Sequence, residues 1–119
     1  MHPQLEVLLQ IQDLKGQQRE LAEGDDARQV EAEEFHMNVE DALRAIDQKL
    51  EELEGELDPP IRARYKRMSR SYHRVVVPVI GGNCFGCFVS IPTSVSSDIR
   101  SNDRIHHCEN CGRFLYVIG

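Results

Sequence analysis

The sequence predicts an α+β fold, in which an N-terminal antiparallel helical hairpin (a coiled coil) precedes a small β unit. Apolar residues recur at alternating spacings of three and four through the first half, which is typical of packed helices. β-branched residues become frequent after Arg74, and the four cysteines form two Cys-x-x-Cys pairs in the same region. Since the chain has 119 residues and no tryptophan, elongated helices joined to a cross-linked module are expected rather than a large globular core.

Residues 1–58 are predicted to form the acidic coiled-coil hairpin. Its first helix is expected from Gln4 to Glu23 and its second from Ala27 to Leu57, where a pair of prolines follows. The segment Gly24-Asp25-Asp26 predicts a tip near residues 24–26, because glycine often ends a helix and aspartate often begins one.

Three leucines at the end of the second helix have no partner in this arrangement. When the chain folds back at Gly24, the first helix runs out before it reaches Leu50, Leu53 and Leu57. These leucines are therefore expected to pack either on the next segment or on another subunit, the latter as a homo-oligomer through this seam.

Residues 59–74 are predicted to form a basic connecting helix. The candidate nucleic-acid-binding residues are its six cations, Arg62, Arg64, Lys66, Arg67, Arg70 and Arg74. Cations of this kind contact phosphates, and the interleaved Tyr65 and Tyr72 are suited to base stacking. The alternative is intramolecular, with the same cations lying against the acidic second helix.

The charge of the chain is divided between its two halves. Residues 1–60 hold five Lys/Arg and seventeen Asp/Glu, a net charge of −12, whereas residues 61–119 hold nine Lys/Arg and three Asp/Glu, a net charge of +6. This division indicates two surfaces with different partners, of which only the second suits nucleic acid.

Residues 75–119 carry the clearest chemical signal. Cys84-Phe-Gly-Cys87, the first hook, and Cys108-Glu-Asn-Cys111, the second hook, have the spacing of a four-cysteine zinc ribbon. Four thiolates close the coordination of one Zn²⁺, so its predicted role is structural. The alternatives are buried cysteines without metal, and disulfides or a redox pair. His106 and His107 stand beside the second hook and are expected to be strand residues rather than ligands.

Short antiparallel strands are predicted around the hooks. They are expected at 75–80, 88–91, 104–107 and 113–118, with a short helical turn within 92–100. Pro78 favours an edge position for the first strand, because proline has no N–H to donate.

Two motifs carry a family resemblance. Val75-Val-Val-Pro-Val-Ile-Gly-Gly-Asn-Cys-Phe-Gly-Cys-Phe-Val-Ser-Ile-Pro92 and Ile105-His-His-Cys-Glu-Asn-Cys-Gly-Arg-Phe-Leu-Tyr116 resemble the four-cysteine zinc-ribbon domain of bacterial proteins with a long N-terminal coiled-coil hairpin. The resemblance implies that the four cysteines are the zinc ligands. It also implies a role in transcriptional or post-transcriptional control, including flagellar or type III secretion programmes and an alternative sigma factor. The hairpin of this chain is shorter than that of the family.

Two functions follow as hypotheses. The first is a non-enzymatic regulator that binds nucleic acid through the basic helix and the ribbon. The alternative is a protein-interaction adaptor whose acidic hairpin docks on RNA polymerase, a sigma factor or flagellar or type III secretion components. Glu23, Asp25 and Asp26 would be its partner-binding tip, similar in outline to Gre and DksA type factors.

Other functions lack a sequence signal. The sequence contains no Gly-rich phosphate loop, no nucleophile with a paired base and no open metal site, so an enzyme is not expected. It also contains no apolar run long enough for a membrane span, so a cytoplasmic protein without membrane contact is expected, where thiols stay reduced.

Overall fold

The structure, a computed structural model, describes residues 1–28, 33–98 and 102–118. For residues 24–28, 33–38 and 96–98 it describes the backbone alone. Its elements are α1 (Pro3–Arg28), α2 (Glu33–Gly55), α3 (Pro59–Ser69), β1 (Val76–Ile80), β2 (Asn83–Cys84), α4 (Thr93–Asp98), β3 (His106–His107) and β4 (Phe114–Val117). The predicted α+β class, a helical hairpin followed by a small sheet, is confirmed. None of the helices in the described part of the chain has the apolar length that a bilayer span requires.

The predicted hairpin tip at residues 24–26 is wrong, because α1 continues through Gly24 to Arg28. A glycine inside a helix costs only about 1 kcal/mol relative to alanine, which packing elsewhere along the helix readily offsets. Asp25 and Asp26 therefore belong to a helix rather than to a turn, and their side chains lie outside the described set. Glu23 is exposed.

The longer α1 changes the register of the hairpin. The side chain of Gln4 at the start of α1 donates to the carbonyl of Glu56, 2.9 Å away, and the Gln18 amide donates to the Asp47 carboxylate. The start of α1 thus lies against the end of α2, several residues beyond the point that a tip at Gly24 would allow.

The three leucines of the predicted oligomer seam are buried within the protomer. One core cluster contains residues of all three long helices and of the sheet: Leu5, Leu8, Ile11, Leu50, Leu53, Leu57, Tyr65, Val75, Val76 and Phe114. Because each buried leucine stabilises the fold by about 1.5–3 kcal/mol, these side chains hold the hairpin, α3 and the sheet together. Of the two arrangements expected for these leucines, packing within the protomer is the one observed, and homo-oligomerisation of the chain stays a prediction.

Helix α3 begins at a proline pair and is anchored by Tyr65. The Tyr65 hydroxyl donates to the Glu54 carboxylate at 2.8 Å, and the Lys15 ammonium lies 4.7 Å from the centroid of its ring. Burial, followed by the hydrogen bond with Glu54, raises the pKa of Tyr65 far above its usual value. The helix ends at Ser69, so the predicted helical stretch up to Arg74 is too long.

The sheet has the order β2-β1-β4-β3. The β1–β2 and β3–β4 pairs are antiparallel as predicted, but β1 and β4 are parallel, with Val76 opposite Phe114. Parallel neighbours require a long connection, and residues 81–113 provide one that includes both hooks. The strand predicted at 88–91 is reduced to a single bridge between Asn83 and Ser90.

Strand β1 is interior in the sheet order, although its proline predicted an edge. The two are compatible because β2 pairs only with Val79 and Ile80; the Pro78 carbonyl accepts from the Phe85 N–H just after β2, the missing N–H of the proline is not needed there, and Val76 lies farther along. There the side chain of Gln12 on α1 accepts from the Val76 N–H at 2.8 Å and donates to the Val76 carbonyl at 3.0 Å. This pair of bonds attaches the sheet to the hairpin.

Candidate metal centre and nucleic-acid interface

The two hooks bring four sulfur atoms together, all within 4.8 Å of one another. The Cys84 and Cys111 sulfurs are 3.9 Å apart, and those of Cys87 and Cys108 are 3.7 Å apart. A tetrahedron with metal–sulfur bonds of about 2.3 Å has edges of about 3.8 Å, so the cluster has the dimensions of a Zn²⁺ tetrathiolate. Among the described residues no histidine joins this cluster.

The two hooks are built on the same turn. The N–H of Phe88, directly after the first hook, donates to the Cys84 carbonyl at 2.7 Å, and the N–H of Gly112, directly after the second, donates to the Cys108 carbonyl at 2.8 Å. Both residues have positive φ, 63° for Phe88 and 81° for Gly112. Glycine adopts this left-handed conformation freely, whereas a bulky residue does not.

Burial raises the pKa of the thiols, whereas nearby hydrogen-bond donors lower it. Burial raises the pKa of Cys84 to about 12 and also raises the pKa of Cys108. A hydrogen bond from the Asn110 side chain lowers the pKa of Cys87 to about 6. Buried thiols ionise most readily when a divalent cation takes the place of their protons, which is the chemistry of a four-cysteine zinc site.

An arginine binds a carbonyl of each hook. Arg113 donates to the Gly86 carbonyl in the first hook at 3.0 Å, and Arg64 donates to the Gly112 carbonyl after the second hook at 3.2 Å. The Arg113 guanidinium also lies 3.8 Å from the centroid of the Tyr72 ring. Because one Zn²⁺ with four thiolates has a charge of about −2, two nearby guanidinium groups stabilise the site.

Comparison with known domains agrees with this geometry. Residues 83–115, which include all four cysteines, match the profile of the C4-type zinc ribbon domain. The C-terminal unit is a C4-type zinc ribbon. Its four cysteines bind one structural Zn²⁺, so the predicted cofactor and ligand set are confirmed.

Two solved structures are similar to part of the chain. The HP0958 protein from Helicobacter pylori CCUG 17874 is 25% identical, with a TM-score of 0.65, over 81% of this chain and 42% of that one. CT398 from Chlamydia trachomatis is 23% identical, with a TM-score of 0.48, over 82% of this chain and 44% of that one. The chain therefore spans less than half the length of either structure. No significant match to a curated protein was found.

Two of the six predicted nucleic-acid-binding cations have structural roles. Arg62 donates to the carbonyls of Glu54, Gly55 and Leu57 at 2.9, 3.1 and 2.7 Å, and so caps the end of α2. Helix ends leave carbonyls without intrahelical partners, which a guanidinium with several donors satisfies. Arg64 is engaged with the second hook. Both arginines are thus engaged within the protomer, but through backbone carbonyls rather than through the acidic side chains of α2 that the intramolecular alternative named.

The other four cations, Lys66, Arg67, Arg70 and Arg74, have exposed side chains. We refer to them as the cationic face. Sequence reasoning did not single out the aromatic residues of the first hook, Phe85 and Phe88, which are also exposed. The signal available was their contrast with the second hook, where a glycine follows the last cysteine.

Proposed function

We propose that the protein is a non-enzymatic regulator that binds nucleic acid, with the cationic face, at the end of α3 and in the segment that follows it, and the adjoining zinc ribbon as its binding surface. The observation that supports this proposal is the exposure of Lys66, Arg67, Arg70 and Arg74. Four exposed cations on a chain of net charge −6 offer a local site for phosphates that the overall charge conceals. The zinc holds the ribbon in shape beside this surface.

Salt dependence of oligonucleotide binding tests the proposal. The double variant Arg67→Gln, Arg70→Gln should bind more weakly, and its plot of log affinity against log salt should be shallower by about 1.4, the value for two lost contacts to a single strand. Fluorescence anisotropy with a labelled RNA measures both quantities.

The matched control removes the same charge from another surface. Arg44 and Lys49 are exposed on α2, where each lies 3.6 Å from a carboxylate, that of Asp41 and Glu52 respectively. The variant Arg44→Gln, Lys49→Gln should retain the affinity and slope of the original protein. If the two double variants lost the same amount of affinity and salt dependence, a specific role for the cationic face would be contradicted.

An adaptor function is the second candidate, and it is favoured by the acidic side chains exposed on α2, which include Asp41, Asp47, Glu51 and Glu52. A basic protein surface such as one on RNA polymerase or a sigma factor would be the complementary partner. Pull-down of the purified polymerase with and without nuclease separates the two functions. Retention after nuclease would support the adaptor, and loss would support nucleic-acid binding.

A further inference from the structure

We propose that the first hook and the residue that follows it form a stacking platform for unpaired bases of a single-stranded nucleic acid, through the rings of Phe85 and Phe88. The inference rests on the proposed function. It adds a selectivity that the cationic face alone does not provide, because phosphates are present in single strands and duplexes alike.

The two rings are not explained by folding. Phe88 is 73% exposed and Phe85 is 44% exposed, and neither belongs to a core cluster among the described residues. Their centroids are 5.7 Å apart and their planes are inclined by 53°. A ring as exposed as that of Phe88 removes little apolar surface from water, so burial does not account for an aromatic residue at this position.

The backbone does not favour Phe88 either. The matching residue after the second hook is Gly112, and both positions have positive φ. Glycine meets this requirement without strain, whereas phenylalanine is strained there. A strained, exposed, bulky residue in place of glycine is typical of a site where the side chain contacts a ligand.

The hook is connected to the cationic face through two side-chain contacts. The carbonyl of Gly86, inside the hook, accepts from Arg113, and the Arg113 guanidinium lies over the ring of Tyr72. Tyr72 stands between Arg70 and Arg74, two members of the cationic face. These contacts connect the hook to the chain segment that carries the cations, and cations that bind phosphates together with rings that stack on bases are the combination found in single-strand binding surfaces.

The exposed rings select unpaired bases because a duplex covers the faces of its bases by stacking. In a single strand each base has a free face, and two inclined rings offer separate surfaces to two successive bases. An apolar protein partner would require neither an aromatic ring nor the neighbouring cations, so the observations favour nucleic acid.

A tryptophan reporter tests the platform directly. The sequence contains no tryptophan, so Phe88→Trp introduces a single indole whose fluorescence responds to base stacking. The full-length zinc-loaded protein is titrated with an RNA strand of about twelve nucleotides, within the site size of one small binding module. The other probes are the duplex of that strand and an abasic strand of the same length.

We expect the single strand to quench the introduced tryptophan, and the duplex and the abasic strand to leave its fluorescence unchanged. In anisotropy, Phe88→Ala should weaken binding of the single strand about 5- to 150-fold, the range for loss of one stacked base, with less than a twofold effect on the abasic strand. Phe88→Leu should weaken binding similarly, since it keeps apolar volume but removes the ring. Val89→Ala, which shortens an exposed aliphatic neighbour, should bind as the original protein does.

The outcomes separate this inference from the proposed function. If the abasic strand binds as tightly as the base-bearing strand and the tryptophan is not quenched, the platform is disproved while phosphate binding stands. If Phe88→Leu retains full affinity, an apolar contact rather than stacking is at work, and the platform is likewise disproved. If no probe binds, the proposed function fails and the inference fails with it.

Discussion

The two hooks of the zinc ribbon share one metal and one backbone turn, but they lie in different surroundings. The second hook is packed beneath α3, where a Cβ at Gly112 would lie 3.2 Å from the Met68 sulfur and where Arg64 binds the Gly112 carbonyl. The first hook keeps its cysteines buried or half-buried, but it presents Phe85, and Phe88 directly after it, to solvent. Two segments with the same task in metal binding thus differ in what their remaining residues contact.

This difference distinguishes the residues that metal binding requires from the residues that are exposed to solvent for another reason. The turn needs two thiolates and a left-handed residue after them, and Gly112 shows that glycine satisfies that need. Packing against α3 accounts for the small residue of the second hook. Neither metal binding nor packing accounts for Phe88, which agrees with the proposed contact between its side chain and a ligand.

Loss of the metal should have the largest effect and should remove the difference between the hooks. Structural zinc contributes about 10–16 kcal/mol of apparent binding free energy, which exceeds the stability of most small domains. We expect chelation to abolish the dispersed amide NMR signals of the ribbon and to loosen the nearby end of the hairpin, which shares core contacts with Val76 and Phe114. Cys84→Ser and Cys108→Ser should have equal effects, and a folded ribbon in either variant would contradict a shared site.

Substitution of the left-handed residues should distinguish the hooks most clearly. We expect Gly112→Ala to lower the free energy of unfolding by about 2 kcal/mol, because alanine is strained at positive φ and its Cβ crowds Met68. The free energy of unfolding of Phe88→Gly should stay within about 1 kcal/mol of that of the original protein. Glycine relieves the backbone strain, and this gain offsets the lost ring contact and the greater freedom of the unfolded chain. Urea denaturation of the zinc-loaded proteins measures both, and equal destabilisation would contradict the comparison.

The glycine inside the first hook is expected to have a smaller effect. A Cβ at Gly86 would lie 2.9 Å from the Arg113 guanidinium carbon, so Gly86→Ala should displace that side chain from Tyr72 and lower stability by about 1 kcal/mol. In an Arg113→Ala background the same substitution should cost almost nothing. A double-mutant cycle measures the coupling, and additive losses would show that Arg113 is not the cause.

Tyr65, which anchors the helix that covers the second hook, should make stability respond to alkaline pH. The pKa of Tyr65 is raised in the folded state, so its contribution to stability is complete below the ordinary tyrosine pKa of about 10 and is lost as the pH rises above it. Tyr65→Phe should lack this part of the pH dependence and should be less stable at neutral pH by about 1 kcal/mol, having lost the bond to Glu54. Unfolding curves at neutral pH and above pH 10 provide the measurement. An identical alkaline loss in both proteins would exclude Tyr65 as its source.

The sequence predicted the fold where local patterns are strong. Apolar spacing predicted two helices, and cysteine spacing predicted the metal site with all four ligands. The tip at Gly24 was wrong because one glycine weakens a helix by less than its packing stabilises it, and the error displaced the register of the whole hairpin. The parallel β1–β4 pair was missed because the pairing of distant strands is set by tertiary contacts rather than by the composition of either strand.

The candidate interface was only partly predictable. Charge alone identified six cations, but the sequence does not reveal that Arg62 caps α2 or that Arg64 binds the second hook, since both depend on how three elements meet. The exposure of Phe88 was equally hidden, because an aromatic residue beside a strand usually predicts a core position. The contrast between Phe88 and Gly112, at matching positions after the two hooks, indicates the special role of Phe88, which composition does not reveal.

The bonds between Gln12 and Val76 also bear on how the protein avoids association through its sheet. Beyond the short β2, the outer side of β1 would offer free backbone groups to a strand from another molecule. Gln12 occupies the donor and acceptor of Val76, the Pro78 carbonyl accepts from Phe85, and proline has no N–H to offer. One side-chain amide and one imino acid thus protect an apolar strand against aggregation.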